Sequence, residues 1–217
     1  MPSEADEHAR LIFRQLLRPA HYGGLFEANH LVFCDETHCC PHDCFRKYGR
    51  SEQNQPAYVY TSFRNEAGPR TSAVCSMSLK GMETVTCVDI NTADSFLEIL
   101  EHVILPSMNP YPQNKSVLIL DNARVHDKDR ICLLCDRFGV LVIWLPPYSF
   151  DFNAIEYSFH VGKNAIRERY GIATAQNAIG PLLRYALLDA VTSGIACNLF
   201  RHAGVYVSLA DEAWANA

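Results

Sequence analysis

The sequence lacks the features that would direct the chain to a membrane or a secretory pathway. None of its apolar runs approaches the ~18 residues that a membrane helix needs. The first residues, MPSEADEHAR, are acidic and contain no basic region followed by an apolar core, so they do not resemble a secretory signal. The chain also lacks internal repeats, low-complexity tracts and linkers. These absences predict one soluble, intracellular domain of 217 residues with a substantial core.

An excess of basic charge is also lacking. The formal net charge is −5 and the isoelectric point is near 6.0, which argues against a protein that coats DNA by itself. Any contact with nucleic acid must therefore come from local basic patches. No nuclear-localisation cluster is visible either. The hydrophobic share of 48% and the charged share of 20% are typical of a globular protein.

The nine cysteines do not have the dense, regular spacing of a small secreted scaffold, which predicts reduced thiols. Five potential zinc ligands lie within the segment HCCPHDC, residues 38–44. A closed zinc site normally pairs two separated ligand groups, and Cys132 with Cys135 would have to be the second. Cys135 is predicted to face the core of a helix. Reduced thiols are therefore favoured, and zinc binding at 38–44 is the alternative.

Hydrophobic periodicity predicts alternating strands and helices. An amphipathic helix in ARLIFRQLLR, with Leu11, Leu16 and Leu17 near helical spacing, ends before the turn at Gly23 and Gly24. Next comes the short apolar run HLVFCDE. The runs PAYVYTSF, TSAVCSMSL and METVTCVDI are rich in Val, Thr and Tyr and are separated by turn residues, which predicts an antiparallel meander.

After these runs, the apolar residues follow the patterns of helices and of buried strands. NTADSFLEILEHVI predicts a long helix capped by Asn91, and residues 126–138 predict a second helix that stops at Gly139. SVLILD and VLVIWL are continuous apolar runs, typical of strands buried on both faces. NAIEYSFHVGKNAIRERY predicts a helix after the last strand. The order indicates an α/β protein with a sheet of mixed direction.

Three acids occupy similar places in this order. Asp35 is predicted at the carboxyl end of the first strand, Asp121 at the end of the central buried strand, and Glu156 in the first turn of the following helix. Side chains at strand ends on one edge of an α/β sheet converge on a crevice. A cluster of hard oxygen ligands suits Mg²⁺ or Mn²⁺, and two such ions can activate water against a phosphodiester.

Each acid also has a structural interpretation. Asp121 and Asn122 are common turn residues after a strand, and Asp35 with Glu36 could face solvent. Asn153 and Glu156 have the spacing of a capping box, in which the glutamate closes its own helix. From spacing alone, a metal site and three unrelated acids are about equally supported.

Longer motifs surround these acids. VLILDNARVH and LPPYSFDFNAIE resemble the D-N-x-x-x-H and L-P-P-Y-S-P-D-x-N-P-I-E signatures of the mariner-type DDE transposases, especially the group with fungal members. Asp121 and Glu156 are separated by 34 intervening residues. CDET resembles the first acid motif of that family, and RKYGR, MNPYPQNKSVLILDN and FRHAGV resemble further segments. The resemblance extends from about residue 25 to 207.

The resemblance implies an RNase H-like fold with a mixed five-stranded central sheet flanked by helices. It implies a DDE endonuclease and transposase that cuts and joins DNA strands with two Mg²⁺ or Mn²⁺ ions. Asp35, Asp121 and Glu156 would be the catalytic, metal-binding acids. A metal-activated water would leave a free 3′-hydroxyl, which would then attack a second DNA. The partners would be transposon ends and target DNA, with a homodimer in the active complex and a nuclear location.

Other residues follow from the same mapping. Phosphate contacts are expected from the basic residues near the acids, namely Arg124, Lys128, His160, Lys163 and Arg167, although a solvated helix face is an equal alternative for each. Asn122, His126 and Asn153 are expected to support the acids.

The predicted organisation is a lead-in helix and turn over 1–28, a catalytic core over 29–175 and a helical extension over 176–217. Transposases of this type generally carry helix-turn-helix modules before the catalytic domain, and here about two dozen residues precede the first strand. This predicts a truncated copy, a partial gene model or an isolated catalytic domain.

Two positions depart from the family pattern. Phe150 and Ala154 stand where the signature has prolines, and a proline at a first helical position is preorganised. A domesticated, non-catalytic domain that binds DNA or protein on the same fold is therefore the alternative function. An RNase H-like enzyme that acts on RNA hybrids fits the signatures less well.

Overall fold

A mixed sheet of five strands forms the centre of the molecule. The computed structural model describes residues 4–44, 50–58, 70–88, 92–122, 127–169 and 172–217. The strands are β1 Leu31–Cys39, β2 Thr71–Ser78, β3 Gly81–Val88, β4 Val117–Leu120 and β5 Leu141–Trp144. Their order is β3-β2-β1-β4-β5, with antiparallel pairing from β1 to β3 and parallel pairing of β1 with β4 and β4 with β5. The predicted mixed five-stranded sheet is confirmed.

Helices cover both faces of this sheet. They are α1 Glu4–Leu16, α2 Ala93–Ile99, α3 Lys128–Arg137, α4 Ala154–Arg169, α5 Ile172–Ala190, α6 Ser193–His202 and α7 Leu209–Ala215. One buried cluster packs α2 and α3 against one face of the sheet. A second, larger cluster packs α1, α4, α5, α6 and α7 against the other face. Among the described residues no helix is both long and apolar enough to cross a bilayer.

The central strands are apolar throughout because both of their faces are buried. Successive side chains of a strand point to opposite faces, so Phe33 and Ile119 enter the larger cluster while Val32 and Leu118 enter the smaller one. Leu31, Phe33, Leu118 and Ile119 are all completely buried. This two-sided burial fixes which side chains at the strand ends face α4.

The helix predicted over residues 91–104 is shorter and less regular than the periodicity indicated. Asn91 lies outside the described residues, and Thr92 caps α2 through a hydrogen bond from the Ser95 amide to its hydroxyl. After Ile99 the chain widens into a π-helical turn, Leu100–Ile104, and tightens into a 3-10 turn, Leu105–Ser107. Pro106 lies in this last turn, where its lack of an amide proton prevents a regular continuation.

The lead-in helix exists, and two of its three predicted apolar residues contribute to the core. Phe13 of α1 and Leu17, which follows its last residue, are buried one helical turn apart on the side that meets the sheet cluster, and Leu16 packs against that cluster, whereas Leu11 is mostly exposed. The predicted role of Leu11 in that face is therefore wrong. The run PAYVYTSF extends into residues 59–69, which lie outside the described residues, and its described part, 56–58, is not in a strand.

Two glycines permit the elements near the site to pack as they do. Gly139 follows α3 with a φ of 68°, the left-handed conformation predicted for a helix stop. Gly162 lies inside α4, where a Cβ atom would approach the Leu187 Cδ2 atom of α5 to 2.4 Å. The absence of a side chain at Gly162 thus allows α5 to pack closely against the helix that carries Glu156.

Candidate active site

Two of the three acids are neighbours because of the strand register. Phe33 of β1 pairs with Ile119 of β4 in the parallel direction, so continuing this register by two residues places Asp35 beside Asp121. Asp35 lies two residues after Phe33, and Asp121 lies two residues after Ile119; both Phe33 and Ile119 belong to the larger cluster. Because alternate side chains of a strand share a face, both acids project towards the face covered by α4. Asp121 immediately follows the last residue of β4.

The position of Asp35 within its strand differs from the prediction. β1 does not end near Asp35 but continues to Cys39, because it pairs with β2 from Phe33 opposite Met77 to Cys39 opposite Thr71. Asp35 stands instead where the parallel pairing with β4 stops. The carboxylate reaches the crevice because β1 loses its neighbour on one side, while its pairing with β2 continues on the other.

The third acid approaches from a loop between β5 and α4. After Leu145 the chain passes through Pro146 and Pro147, turns at Tyr148 and enters a 3-10 turn over Phe150–Phe152. α4 then begins at Ala154, and Glu156 lies in its first turn as predicted. Side chains of all three acids line one cavity of about 550 Å³, together with Asn122, Asn153 and residues 145–150.

The acids influence each other electrostatically. Burial raises the pKa of Asp35 to about 8, and the negative charges of Glu156 and Asp121 act in the same direction. Glu156 stands at the solvent-exposed rim, where partial burial of its carboxyl group raises its pKa. A hydrogen bond with Asp35 and the charge of Lys163 oppose that rise. The pKa values of Asp35 and Glu156 are therefore both raised, chiefly by burial of their carboxyl groups.

Asn153 holds Asp35 in place. Its Nδ2 atom donates a hydrogen bond of 2.6 Å to the Oδ2 atom of Asp35, and Asn153 is buried. Its Oδ1 atom is also buried and accepts no hydrogen bond from the described residues. The side chain therefore does not cap α4, and the capping-box interpretation of Asn153 and Glu156 does not describe this site. The opposite oxygen of Asp35 accepts a hydrogen bond of 2.7 Å from the Glu36 amide.

Helix α1 fastens the loop before α4. The Arg10 guanidinium donates to both carboxylate oxygens of Asp151, at 2.9 and 2.7 Å, and to the Ser149 hydroxyl at 2.9 Å. It also lies 4.1 Å from the centre of the Phe152 ring, which stacks on Phe13 of the same helix. A bidentate ion pair and a cation–π contact thus act together on the turn that leads to Asn153 and Glu156.

The predicted basic residues lie in different environments. Lys163 is close enough to Glu156 to lower its pKa, and His160 is exposed on the same helix. Arg167 is engaged within the chain, since it donates 2.7 Å hydrogen bonds to the Asp43 carbonyl oxygen and the Asn164 side chain. Lys128 contacts the Asn122 side chain and lies 4.9 Å from the Trp144 ring centre. Arg124 and His126 lie outside the described residues.

The described side chains of the cysteine and histidine segment do not form a metal site by themselves. Within the described ranges no three His, Cys, Asp or Glu side chains are arranged to hold a metal ion as they stand. Cys39 belongs to the larger buried cluster and Cys135 to the smaller one, on the opposite face of the sheet. One zinc ion therefore could not bind both of these residues. The side chains of His42 and Cys44 are not among those described.

The arrangement nevertheless has the donor chemistry of a hard-cation site. Three carboxyl groups from β1, the end of β4 and α4 face one open cavity, and their mutual repulsion would be relieved by a cation. Sequence reasoning identified these acids but missed Arg10, Ser149 and Asp151. Arg10 and Asp151 are 141 residues apart and belong to no shared motif, so only the fold shows their contact.

Comparisons with known proteins agree with this geometry. A family model described as DDE superfamily endonuclease matches residues 30–177. No curated protein matches the chain significantly. The solved structures that resemble it include the mariner Mos1 paired end complex with Mg, at 14% identity and a TM-score of 0.63, with 96% of this chain and 64% of that chain covered.

Two further structures give the same result. The Mos1 transposase paired-end complex with left transposon end has 14% identity and a TM-score of 0.59, covering 96% of this chain and 65% of that chain. The catalytic domain of Mos1 mariner transposase has 12% identity and a TM-score of 0.51, covering 96% and 98%. The chain thus spans about 65% of the length of the transposase in the complex with the left transposon end. At these identities the likeness shows the fold, which is RNase H-like.

Proposed function

Since this chain belongs to the DDE superfamily endonuclease family, we propose that it cuts DNA by hydrolysing phosphodiester bonds at the cavity of Asp35, Asp121 and Glu156. The observation that carries the proposal is the convergence of these three acids from separate elements on one open cavity. Strand transfer would follow when the free 3′-hydroxyl attacks a second DNA strand. A free hydroxyl and a water molecule are the nucleophiles, so no protein nucleophile is needed.

Divalent ions fit the chemistry of this site. Asp35, Asp121 and Glu156 would hold Mg²⁺ or Mn²⁺, because carboxylate oxygens are the ligands that these hard cations prefer. As the family resemblance implies, two ions would be bound. When bound, such ions supply Lewis acidity that activates water and stabilises the leaving oxygen. Two of the similar Mos1 structures are paired end complexes with Mn and with Mg.

The residues of this chain prepare the site in two ways. Asn153 fixes the Oδ2 atom of Asp35, while Arg10 fixes the turn before α4, so the carboxyl groups on the strand and the helix keep their relative positions. Since burial raises the pKa of Asp35 and of Glu156, both carboxyl groups must be deprotonated before they can act as anionic ligands. We expect cation affinity to increase with pH for this reason.

DNA would approach along α4 and the start of α3. We propose that Lys163 and His160 on α4, with Lys128 on α3, contact phosphates, and Arg124 is proposed for the same role from the sequence. Arg167 would contribute by holding the turn around Asp43, whose carbonyl oxygen it already binds. Asn122 and His126 remain proposed supporting residues, Asn122 through its contact with Lys128.

The partners and location follow by analogy with the mariner structures. The similar Mos1 structures include a paired-end complex with a transposon end, a pre-cleavage transpososome and a strand transfer complex. By analogy, this chain would bind transposon ends and target DNA as a homodimer, in the nucleus. We retain the proposed division into 1–28, 29–175 and 176–217, whose second boundary lies near the non-helical residue Ala178 inside α5.

Nicking of supercoiled plasmid in Mg²⁺ or Mn²⁺ tests this function. We expect Asp121→Asn and Glu156→Gln to lose more than about 100-fold in rate, since each removes a proposed metal ligand. Asp129→Asn is the matched control, because Asp129 is an exposed acid of α3 that does not line the cavity. Nicking by Asp121→Asn at a rate similar to the unmutated chain would contradict the proposal. Failure of the unmutated chain to nick would favour the non-catalytic alternative.

A further inference from the structure

Two aromatic side chains stand almost fully exposed at the mouth of the carboxylate cavity. Tyr148 is 86% exposed and Phe150 is 76% exposed, and both line the cavity that contains Asp35, Asp121 and Glu156. Single exposed apolar residues are ordinary on protein surfaces, but adjacent aromatic rings around a polar cleft are typical of a binding surface. Their position makes them the apolar wall of the same cavity.

The residues between and after these rings are buried and held. Ser149 is buried, donates a hydrogen bond of 3.2 Å to the Pro147 carbonyl oxygen and accepts one of 2.9 Å from Arg10. Phe152 is buried against Phe13, and Asp151 is bound by Arg10. The loop therefore points Tyr148 and Phe150 outward, while Ser149 between them and Asp151 and Phe152 after them are held against the protein. The outward direction of the two rings follows from these anchors.

The backbone at Tyr148 is strained in the direction that exposes its ring. Its φ is 57°, a left-handed conformation that costs free energy for a residue with a Cβ atom. Such residues persist where the surrounding structure fixes them, and they cluster at binding sites. Pro146 and Pro147 precede this residue and restrict the chain on that side. A backbone that is already fixed leaves less conformational entropy to be lost when a ligand stacks on the ring.

We infer that Tyr148 and Phe150 form a stacking platform for unpaired DNA bases next to the phosphate that enters the carboxylate cavity. This inference rests on the proposed function and adds the substrate class, which is a strand with frayed or single-stranded bases beside the scissile bond. Bases stack on aromatic side chains without regard to sequence because each base has a π face. Bases inside an intact duplex already stack on their neighbours, so their faces are not available to the platform.

The test measures binding separately from cleavage. A duplex with a three-nucleotide unpaired 3′ end that contains 2-aminopurine is compared with a blunt duplex in Ca²⁺ buffer. The variants are Phe150→Ala and Tyr148→Asn, since asparagine tolerates the left-handed backbone while lacking the ring. Leu209→Ala is the control, because Leu209 is 83% exposed and does not line the cavity. Thermal unfolding of every variant confirms that it is folded.

We expect the unmutated chain to prefer the unpaired end and to quench its 2-aminopurine fluorescence. Each platform variant should lower that preference by about 5- to 100-fold, the range for removing one stacking partner, and Leu209→Ala should leave it unchanged. Phe150→Pro should behave like Phe150→Ala, because it also lacks the ring.

Equal affinity for the two DNAs, or a preference that survives both platform substitutions, would overturn the inference. These outcomes are distinct from a failure of the proposed function. A chain that nicks duplex DNA but shows no preference for the unpaired end would refute the platform alone. A chain that shows the preference and the quenching but never nicks would refute the endonuclease proposal and leave the platform standing.

Discussion

Protonation of Asp35 stabilises the fold, whereas its proposed role as a metal ligand requires the deprotonated carboxylate. Its folded-state pKa is raised to about 8 by burial and by the neighbouring acids, whereas an unfolded aspartate titrates near ~3.9. Between these two pH values the folded state keeps a proton that the unfolded state has lost. The free energy of unfolding of the metal-free protein should therefore fall as pH rises from about 4 to about 8, and level off above.

Urea unfolding in chelator-containing buffer at pH 5 and pH 8 checks this dependence. We expect a decrease on the order of 1 kcal/mol per pH unit in the unmutated chain and a much shallower one in Asp35→Asn, which has no proton to lose. Asp129→Asn should keep the slope of the unmutated chain. Identical slopes for Asp35→Asn and the unmutated chain would show that Asp35 is ionised normally.

Asn153 is a second residue with a defined expected effect. Asn153→Ala leaves the buried Oδ2 atom of Asp35 without its 2.6 Å donor, which should lower the free energy of unfolding by about 1–3 kcal/mol. It should also slow nicking by about 10- to 100-fold, because Asn153 positions a proposed ligand. Asn216→Ala, at an exposed asparagine, is the control. An unchanged nicking rate with reduced stability would assign Asn153 a purely structural role.

Prediction from sequence identified the acids and, through the family resemblance, the supporting residue Asn153, but it missed Arg10, Ser149 and Asp151. Strand ends and helix starts are visible in the hydrophobic pattern, so the convergence of Asp121 and Glu156 could be expected. The contact of Asn153 with Asp35 spans 118 positions and the local pattern suggested a capping box instead. Hydrogen bonds between distant side chains depend on the packed backbone, and no periodicity records them.

At the scale of elements, α1 stabilises the active-site loop. Arg10→Ala should lower the free energy of unfolding by about 2 kcal/mol, since it removes a partly buried bidentate ion pair and a contact with the Phe152 ring. A double-mutant cycle with Asp151→Asn isolates the pair, and a coupling energy of about 1 kcal/mol or more is expected. Arg10→Lys should recover only part of it, because lysine lacks the planar fork. A coupling energy near zero would contradict this role.

The helices and strands themselves were predicted with uneven success. β2 and β3 form the antiparallel pair expected from two of the three meander runs, whereas the strand that pairs with β2 is β1, which was not expected in the meander. α3 buries Ile131, Leu134 and Cys135 at helical spacing. Leu11 was wrongly assigned to the apolar face of α1, because leucines on both sides of a short helix satisfy helical spacing equally well. The π-helical turn after α2 was missed because an apolar pattern does not distinguish an α-helical from a wider turn.

At the scale of the whole molecule, the last three helices complete the core. Leu183 of α5 and Phe200 of α6 are completely buried in the cluster that also contains Phe33 of β1. A chain that ends at residue 175 should therefore lose its cooperative thermal transition and bind a hydrophobic dye, which circular dichroism and dye fluorescence would detect. A sharp transition in the truncated chain would show that the proposed division at 175 separates independent folding units.

The order of the strands was not predicted from the sequence. Continuous apolar runs predicted that β4 and β5 are both buried on two faces, which is confirmed for β4 but wrong for β5, an edge strand in which Leu141 is 38% exposed. An apolar run also does not indicate which strand lies beside it. Pairing between β1 and β4 joins segments that lie far apart in the chain, and that choice depends on the packing of all the helices. The same register decides that Asp35 meets Asp121.

The turn between α5 and α6 has a consequence for behaviour at high concentration. Thr192 forms an antiparallel bridge with Gly81, and the Met82 amide donates to the Val191 carbonyl oxygen at 3.0 Å. The first residues of the outermost strand β3 are thus occupied by the chain's own backbone, and β5 at the other margin has only four residues. Exposed strand margins are templates for aggregation. The fold therefore limits self-association, because the start of β3 is covered by the chain's own backbone and the exposed edge of β5 is short.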